Sequence, residues 1–164
     1  MASTNAAPIE VTDAAPRRSV LRTLTLVLIV VGLLVSGYLS YVKLTDVPMV
    51  CIQGSVFSCD TVQAHPIGKI AGVPIAVLGF LVYLALGALT VFSDRHPFLR
   101  QNGMMLFFGL LLFAWMYSMF LVYAQFAIIR ALCMWCLTHE LNITILFIVG
   151  ILRLRRYFAG DLNA

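Results

Sequence analysis

Residues 131–154 read ALCMWCLTHELNITILFIVGILRL. A helix needs about 20 mostly apolar residues to cross the hydrocarbon of a bilayer, and this run is long enough. Two cysteines, Cys133 and Cys136, stand at its head, with His139 and Glu140 about a turn further in. An apolar helix that opens on Cys-x-x-Cys brings thiol chemistry to a membrane boundary.

Three earlier stretches meet the same length and polarity test: 21–42, 71–92 and 104–124. The chain is 62% hydrophobic and 11% charged over 164 residues, with mean hydropathy +0.98. That excludes a water-soluble globule, because such a composition leaves too little polar surface to cover a core. The expected fold is an all-α membrane protein, a four-transmembrane-helix bundle forming one domain over 17–158. Residues 1–16, rich in Ala, Thr and Pro, read as a disordered cytoplasmic tail. They lack the basic start and apolar core of a signal peptide. Residues 159–164 read as a C-terminal tail. The longest connection, 43–70, holds Cys51 and Cys59 in CIQGSVFSC. A short half-helix is expected within it from Asp60 to Gly68, capped by Asp60 or Thr61 and stopped by the glycine.

Lys and Arg bias orients the spans. Arg17, Arg18, Arg22, Arg95, Arg100, Arg153, Arg155 and Arg156 fall on one side; Lys43, Lys69 and Arg130 fall on the other. Both termini are therefore expected in the cytoplasm. All four cysteines then face outward, on the periplasmic side of a bacterial inner membrane, where disulfides persist. The net charge of +4 is spread over helix ends, a pattern for membrane orientation and not for nucleic-acid binding.

A helix places Cys133 and Cys136 on one face, about 5–6 Å apart at Cβ, close to disulfide reach. Unpaired amides at a helix start favour a thiolate, and Arg130 just upstream is expected to add to that. Cys51 and Cys59 close a short loop able to reopen for exchange. One loop cysteine can meet an external protein and the other Cys133, which leaves Cys136 nearest the membrane interior. A quinone is the lipid-soluble acceptor that suits this position. Two blander readings stand beside this one: inert cysteines or structural disulfides in a non-enzymatic membrane protein, and a four-thiolate zinc site built from both pairs. No other metal-type cluster supports the second.

Taken jointly, the four apolar runs, CIQGSVFSC after the first, HPIGKIAGVPIAVLGFLVYL leading into the second and CMWC opening the fourth resemble the vitamin K epoxide reductase family over about 21–154. The resemblance implies a helical bundle around a quinone, capped by the loop. It implies catalytic roles for Cys51, Cys59, Cys133 and Cys136: Cys51 meets a thioredoxin-like (DsbA-like) protein, Cys59 shuttles to Cys133, and Cys136 faces ubiquinone or menaquinone. Many bacterial members carry a fused thioredoxin-like domain. This sequence ends at Ala164 without one, so a separate partner is expected. True epoxide reduction by the same cysteines is the alternative within the family. Members usually carry a hydroxyl residue about six positions after the second loop cysteine, where His65 stands here. The tyrosine and asparagine that hold the quinone head in the animal enzymes have no obvious counterparts.

Polar replacements at the quinone site are Thr138, His139 and Glu140, together with His65. Ionisable residues inside a span are costly and usually face a cavity or partner. As neighbours, His139 and Glu140 point in different directions, so at most one is expected to face the site. Trp115, Tyr117, Tyr123 and Trp135 read mainly as interfacial aromatics, with Trp135 also a candidate shield for the helix cysteines. Gly32, Ser36, Gly37 and Ser40 form a small-residue stripe suited to close helix approach.

Overall fold

The computed structural model describes residues 14–51, 57–93, 95 and 97–160, and the side chains of 14–19 are not among them. Most of the expected N-terminal tail, loop residues 52–56 and the terminal 161–164 lie outside the described residues. The chain forms α1 (Ala14–Thr45), α2 (Cys59–Ala64), a 3-10 turn (Pro66–Gly68), a hairpin of β1 (Lys69–Ile70) and β2 (Val73–Pro74), α3 (Ile75–Phe92), α4 (Pro97–Tyr123), a π-helical turn (Ala124–Ile129) and α5 (Met134–Phe158). Among the described residues, four helical stretches are long and apolar enough to cross a membrane: Val20–Thr45, Ile75–Phe92, Pro97–Ile129 and Met134–Phe158. The all-α membrane bundle expected from the apolar runs is thus the observed fold.

Several boundaries move for local reasons. The half-helix expected over Asp60–Gly68 begins at Cys59 and breaks at His65, whose extended ψ of 139° is what a residue before proline favours. Ser58, not Asp60 or Thr61, is its N-cap residue. The second span starts at Ile75 and not at 71, because Ala71 and Gly72 take positive φ (50° and 85°) to turn the β1–β2 hairpin. Gly72 suits that conformation, having no Cβ. The third span begins earlier than 104, at Pro97, a residue preorganised for a first helical turn.

Helix α1 packs on α3 and α5, and α4 packs on the other sides of α3 and α5. Ile29, Tyr83, Leu86, Phe107, Leu111, Ile143 and Leu146 fill the centre. Large apolar side chains also cover the outside, Leu34 and Phe113 among them at 69% and 68% exposed. A bilayer accepts that surface; water would not. The small-residue stripe has the expected use in part. A Cβ at Gly32 would overlap the Tyr83 ring, and Gly37 lies against Phe80. Ser36 and Ser40 return their hydroxyls to the Gly32 and Ser36 carbonyls, so neither leaves a donor bare in the bundle. Asn142, buried in α5, donates to the Leu28 carbonyl of α1 and to the Tyr83 hydroxyl of α3, tying three helices together. Trp115 belongs to the bundle packing and not to an interfacial belt: it stacks on Phe147 and donates to Thr144.

Candidate functional site

The chain reverses from α4 to α5 through the π-helical turn and Arg130, which takes a left-handed φ of 55°. This sharp return brings Leu132 beside the loop, where its carbonyl accepts from the Ser58 N–H at 3.1 Å. A parallel bridge joins Phe57 to Leu132. The short α2 is thereby docked on the head of α5. Cys59 (1% exposed) and Cys133 (0%) are packed into one cluster with Val62 and Ala131, and Cys51 and Cys136 lie partly buried against it.

Cys51 and Cys59 are joined in a disulfide, with Cα atoms 6.3 Å apart, while Cys133 and Cys136 are free. Cys133 is the N-cap of α5 and not a residue of its first turn, as its extended backbone shows (φ −112°, ψ 116°). Its sulfur accepts from the Cys136 N–H at 3.3 Å. The Cys136 thiol beside it, and then the amides of Cys136 and Trp135, hold the Cys133 thiol below the ordinary thiol range, although burial pushes it upward. Arg130, expected to contribute, is exposed and is not among the groups that lower it. The Cys133 N–H is taken by the buried Gln125 side-chain oxygen at 3.1 Å.

Two aromatic residues hold the loop where it enters the disulfide. The Trp135 indole donates to the Val50 carbonyl at 2.8 Å, and the Val50 N–H donates to the Tyr38 hydroxyl at 3.3 Å. The two rings lie 4.7 Å apart. Trp135 therefore anchors the residue preceding Cys51, a more definite contact than shielding.

Beneath the cysteines lies a cavity of about 240 Å³, walled by all the long helices and roofed by Gln63, Ile67 and Gly68. Cys136, His139, Glu140 and Ile143 form one wall. Those positions are spaced i, i+3, i+4 and i+7, so they share one helical face, and both His139 and Glu140 line the cavity. The expectation that at most one would do so is corrected: adjacent residues flank the centre of a stripe this wide. Ser118 donates to one carboxylate oxygen of Glu140, and the other, Oε1, is buried with no hydrogen-bond partner among the described residues. The His139 ring meets Tyr83 edge-on at 5.6 Å. Phe113, exposed on its lipid side, also lines the space.

Thr138 and His65 do not line this cavity. Thr138 is exposed on the outer face of α5 and returns its hydroxyl to the Met134 carbonyl. The His65 ring accepts from the Ile67 N–H, capping the 3-10 turn. Gln63, Ser118 and Gln125 were not anticipated. Gln63 donates to the Cys136 sulfur at 3.8 Å. Its one sequence signal is a place four residues after Cys59, one helical turn along.

Among the described residues, no group of three or more His, Cys, Asp or Glu is arranged to hold a metal ion. In this state Cys51 and Cys59 are bonded to each other. A disulfide and a dithiol stacked over a mostly apolar cavity between the long helices are the parts that thiol–disulfide exchange within a membrane bundle requires. The sequence profile described as the Vitamin K epoxide reductase family matches residues 23–151, most of the chain. The protein belongs to this family of membrane helical bundles, which couple disulfide chemistry to quinones.

Proposed function

We propose that the protein is a thiol:quinone oxidoreductase that drives disulfide formation in a separate thioredoxin-like partner. The observation that carries this reading is the vertical order of the sulfurs. Cys51 is partly exposed at the loop, Cys59 and Cys133 are buried together, and Cys136 opens on the cavity. Electrons then pass from the partner dithiol to Cys51–Cys59, on to Cys133–Cys136, and finally to ubiquinone or menaquinone. The net reaction is balanced, since a dithiol yields two electrons and two protons and the quinone becomes a hydroquinone.

The cavity suits a quinone head in its polarity as well as its position. Its walls are mostly apolar, and the unpartnered Oε1 of Glu140 is a ready site for a hydrogen bond or proton exchange with a quinone oxygen. His139 on the same wall is a second candidate. The quinone accepts the electron pair. The chain holds the donor sulfur at the cavity wall, lines one end of the space with α2 and the 3-10 turn, and supplies the carboxyl group. The Arg bias of the sequence supports cytoplasmic termini and cysteines on the periplasmic side of a bacterial inner membrane.

Anaerobic quinone reduction by the purified protein in detergent, with a reduced thioredoxin-like donor, tests the reading. The parent is expected to reduce quinone stoichiometrically and Cys136→Ser to lose that activity. A parent inactive with both ubiquinones and menaquinones would refute it.

A further inference from the structure

The relay just proposed demands that a thiolate be released in an apolar place. When Cys59 attacks the Cys133 sulfur of an oxidised helix pair, the Cys59–Cys133 bond forms and the Cys133–Cys136 bond breaks. The electron pair leaves on Cys136. Cys51 then attacks Cys59, remaking the loop disulfide and freeing Cys133, so the two electrons and two protons of the loop dithiol end on the helix pair. Cys136 lines the cavity among Val62, Ile129 and Ile143. A departing anion there is stabilised only by a nearby donor.

The donor in place is on α2. Cys59 and Gln63 are four residues apart in this helix, hence on one face. That face meets the head of α5 with Cys59 packed in the Cys133 cluster and the Gln63 amide at 3.8 Å from the Cys136 sulfur. We propose that Gln63 is a catalytic residue of the internal disulfide exchange, donating to Cys136 as that sulfur departs. One helical turn then delivers both the attacking sulfur and the donor for the leaving one. Exchange is favoured only with α2 docked, which prevents the helix pair from being opened while Cys59 is drawn away from Cys133. With the loop pair joined and the helix pair free, the structure has the sulfur pairing that follows this step, and the amide is still on Cys136.

The inference rests on the relay, and the test separates the two. Cys51→Ser removes the resolving sulfur, so the full chain in detergent should stop as a Cys59–Cys133 mixed disulfide with Cys136 free. The ultraviolet absorbance of the Cys136 thiolate is then titrated against pH. The titratable neighbours are Cys133, tied up in the mixed disulfide, with His139 and Glu140 on the same helix; α3 and α4 bring Tyr83 and Tyr117 to the cavity; α1 lends it Ser36 and Leu39, and α2 the uncharged amide. Gln63→Leu leaves them all in place. It is expected to raise the titration midpoint by about one unit and, with Cys51 restored, to slow internal exchange about tenfold. Gln63→Met, unbranched, guards against a packing artefact and should match it. A midpoint unmoved in variants that still form the mixed disulfide would overturn the role of Gln63 and spare the relay. Failure of both variants to form it, where the Cys51→Ser parent does, would make Gln63 structural and overturn the role as well. If the Cys51→Ser parent itself never forms it, the relay fails and this inference with it.

Discussion

Cys133 is at once a cap and a redox sulfur. As N-cap it offers its sulfur to the Cys136 N–H, and as a thiol it is held below its ordinary range chiefly by the Cys136 side chain. The two cysteines can therefore be separated by substitution. With the loop disulfide intact, Cys133 is the sole free thiol in Cys136→Ser and in Cys136→Ala. Serine keeps an O–H donor and alanine removes it, so the Cys133 alkylation rate should rise with pH through a higher midpoint in the alanine variant. The sign for stability follows. A folded value below the unfolded one means the ionised thiol stabilises the fold at alkaline pH, and that contribution is lost as pH falls through the lowered value.

Elements differ in how plainly they were written. The four spans were legible because apolar runs of about 20 residues have few other uses, and the cysteine spacing marked both halves of the thiol cluster. The β1–β2 hairpin was not, since strands of two residues carry no periodicity and only Gly72 marks the turn. Nor was the π-helical turn, because AQFAII continues an apolar helix as well as it ends one. Gln125 within it is a lone amide in an apolar stretch, a signal that becomes specific only once Arg130 turns the chain and brings Cys133 to its oxygen. Thr138 and His65 show the reverse error: a polar side chain near a redox cysteine along the sequence was bonded to its own backbone segment. Asn142 lies within the fourth apolar run, and nothing in the sequence marks it as a tie between helices. Asn142→Leu removes two interhelical hydrogen bonds and leaves the Tyr83 hydroxyl without this donor. It should lower stability in detergent by about 1–2 kcal/mol, read by thermal unfolding. Adding Tyr83→Phe should recover part of that loss.

For the molecule as a whole, thiol chemistry gathers at one end of the bundle and most of the arginines at the other. Arg153 at that far end donates to Thr25 and lies over the Phe107 ring, 5.1 Å from its centroid. The proposed orientation predicts that a membrane-impermeant maleimide, applied to intact reduced cells from which the outer barrier has been removed, labels Cys51. A cysteine introduced at Ala159 should be labelled only after lysis; labelling in the opposite order would invert the protein. The joined loop pair and the free helix pair have one more consequence. Each disulfide–dithiol couple holds two electrons, so with four cysteines the protein is a reservoir of four that stands half filled in this state. It can accept a second donor before any acceptor arrives. Encounters with a protein in the aqueous space and with a lipid diffusing in the bilayer then need not coincide, and the bundle can smooth an irregular supply from one phase into a steady discharge to the other.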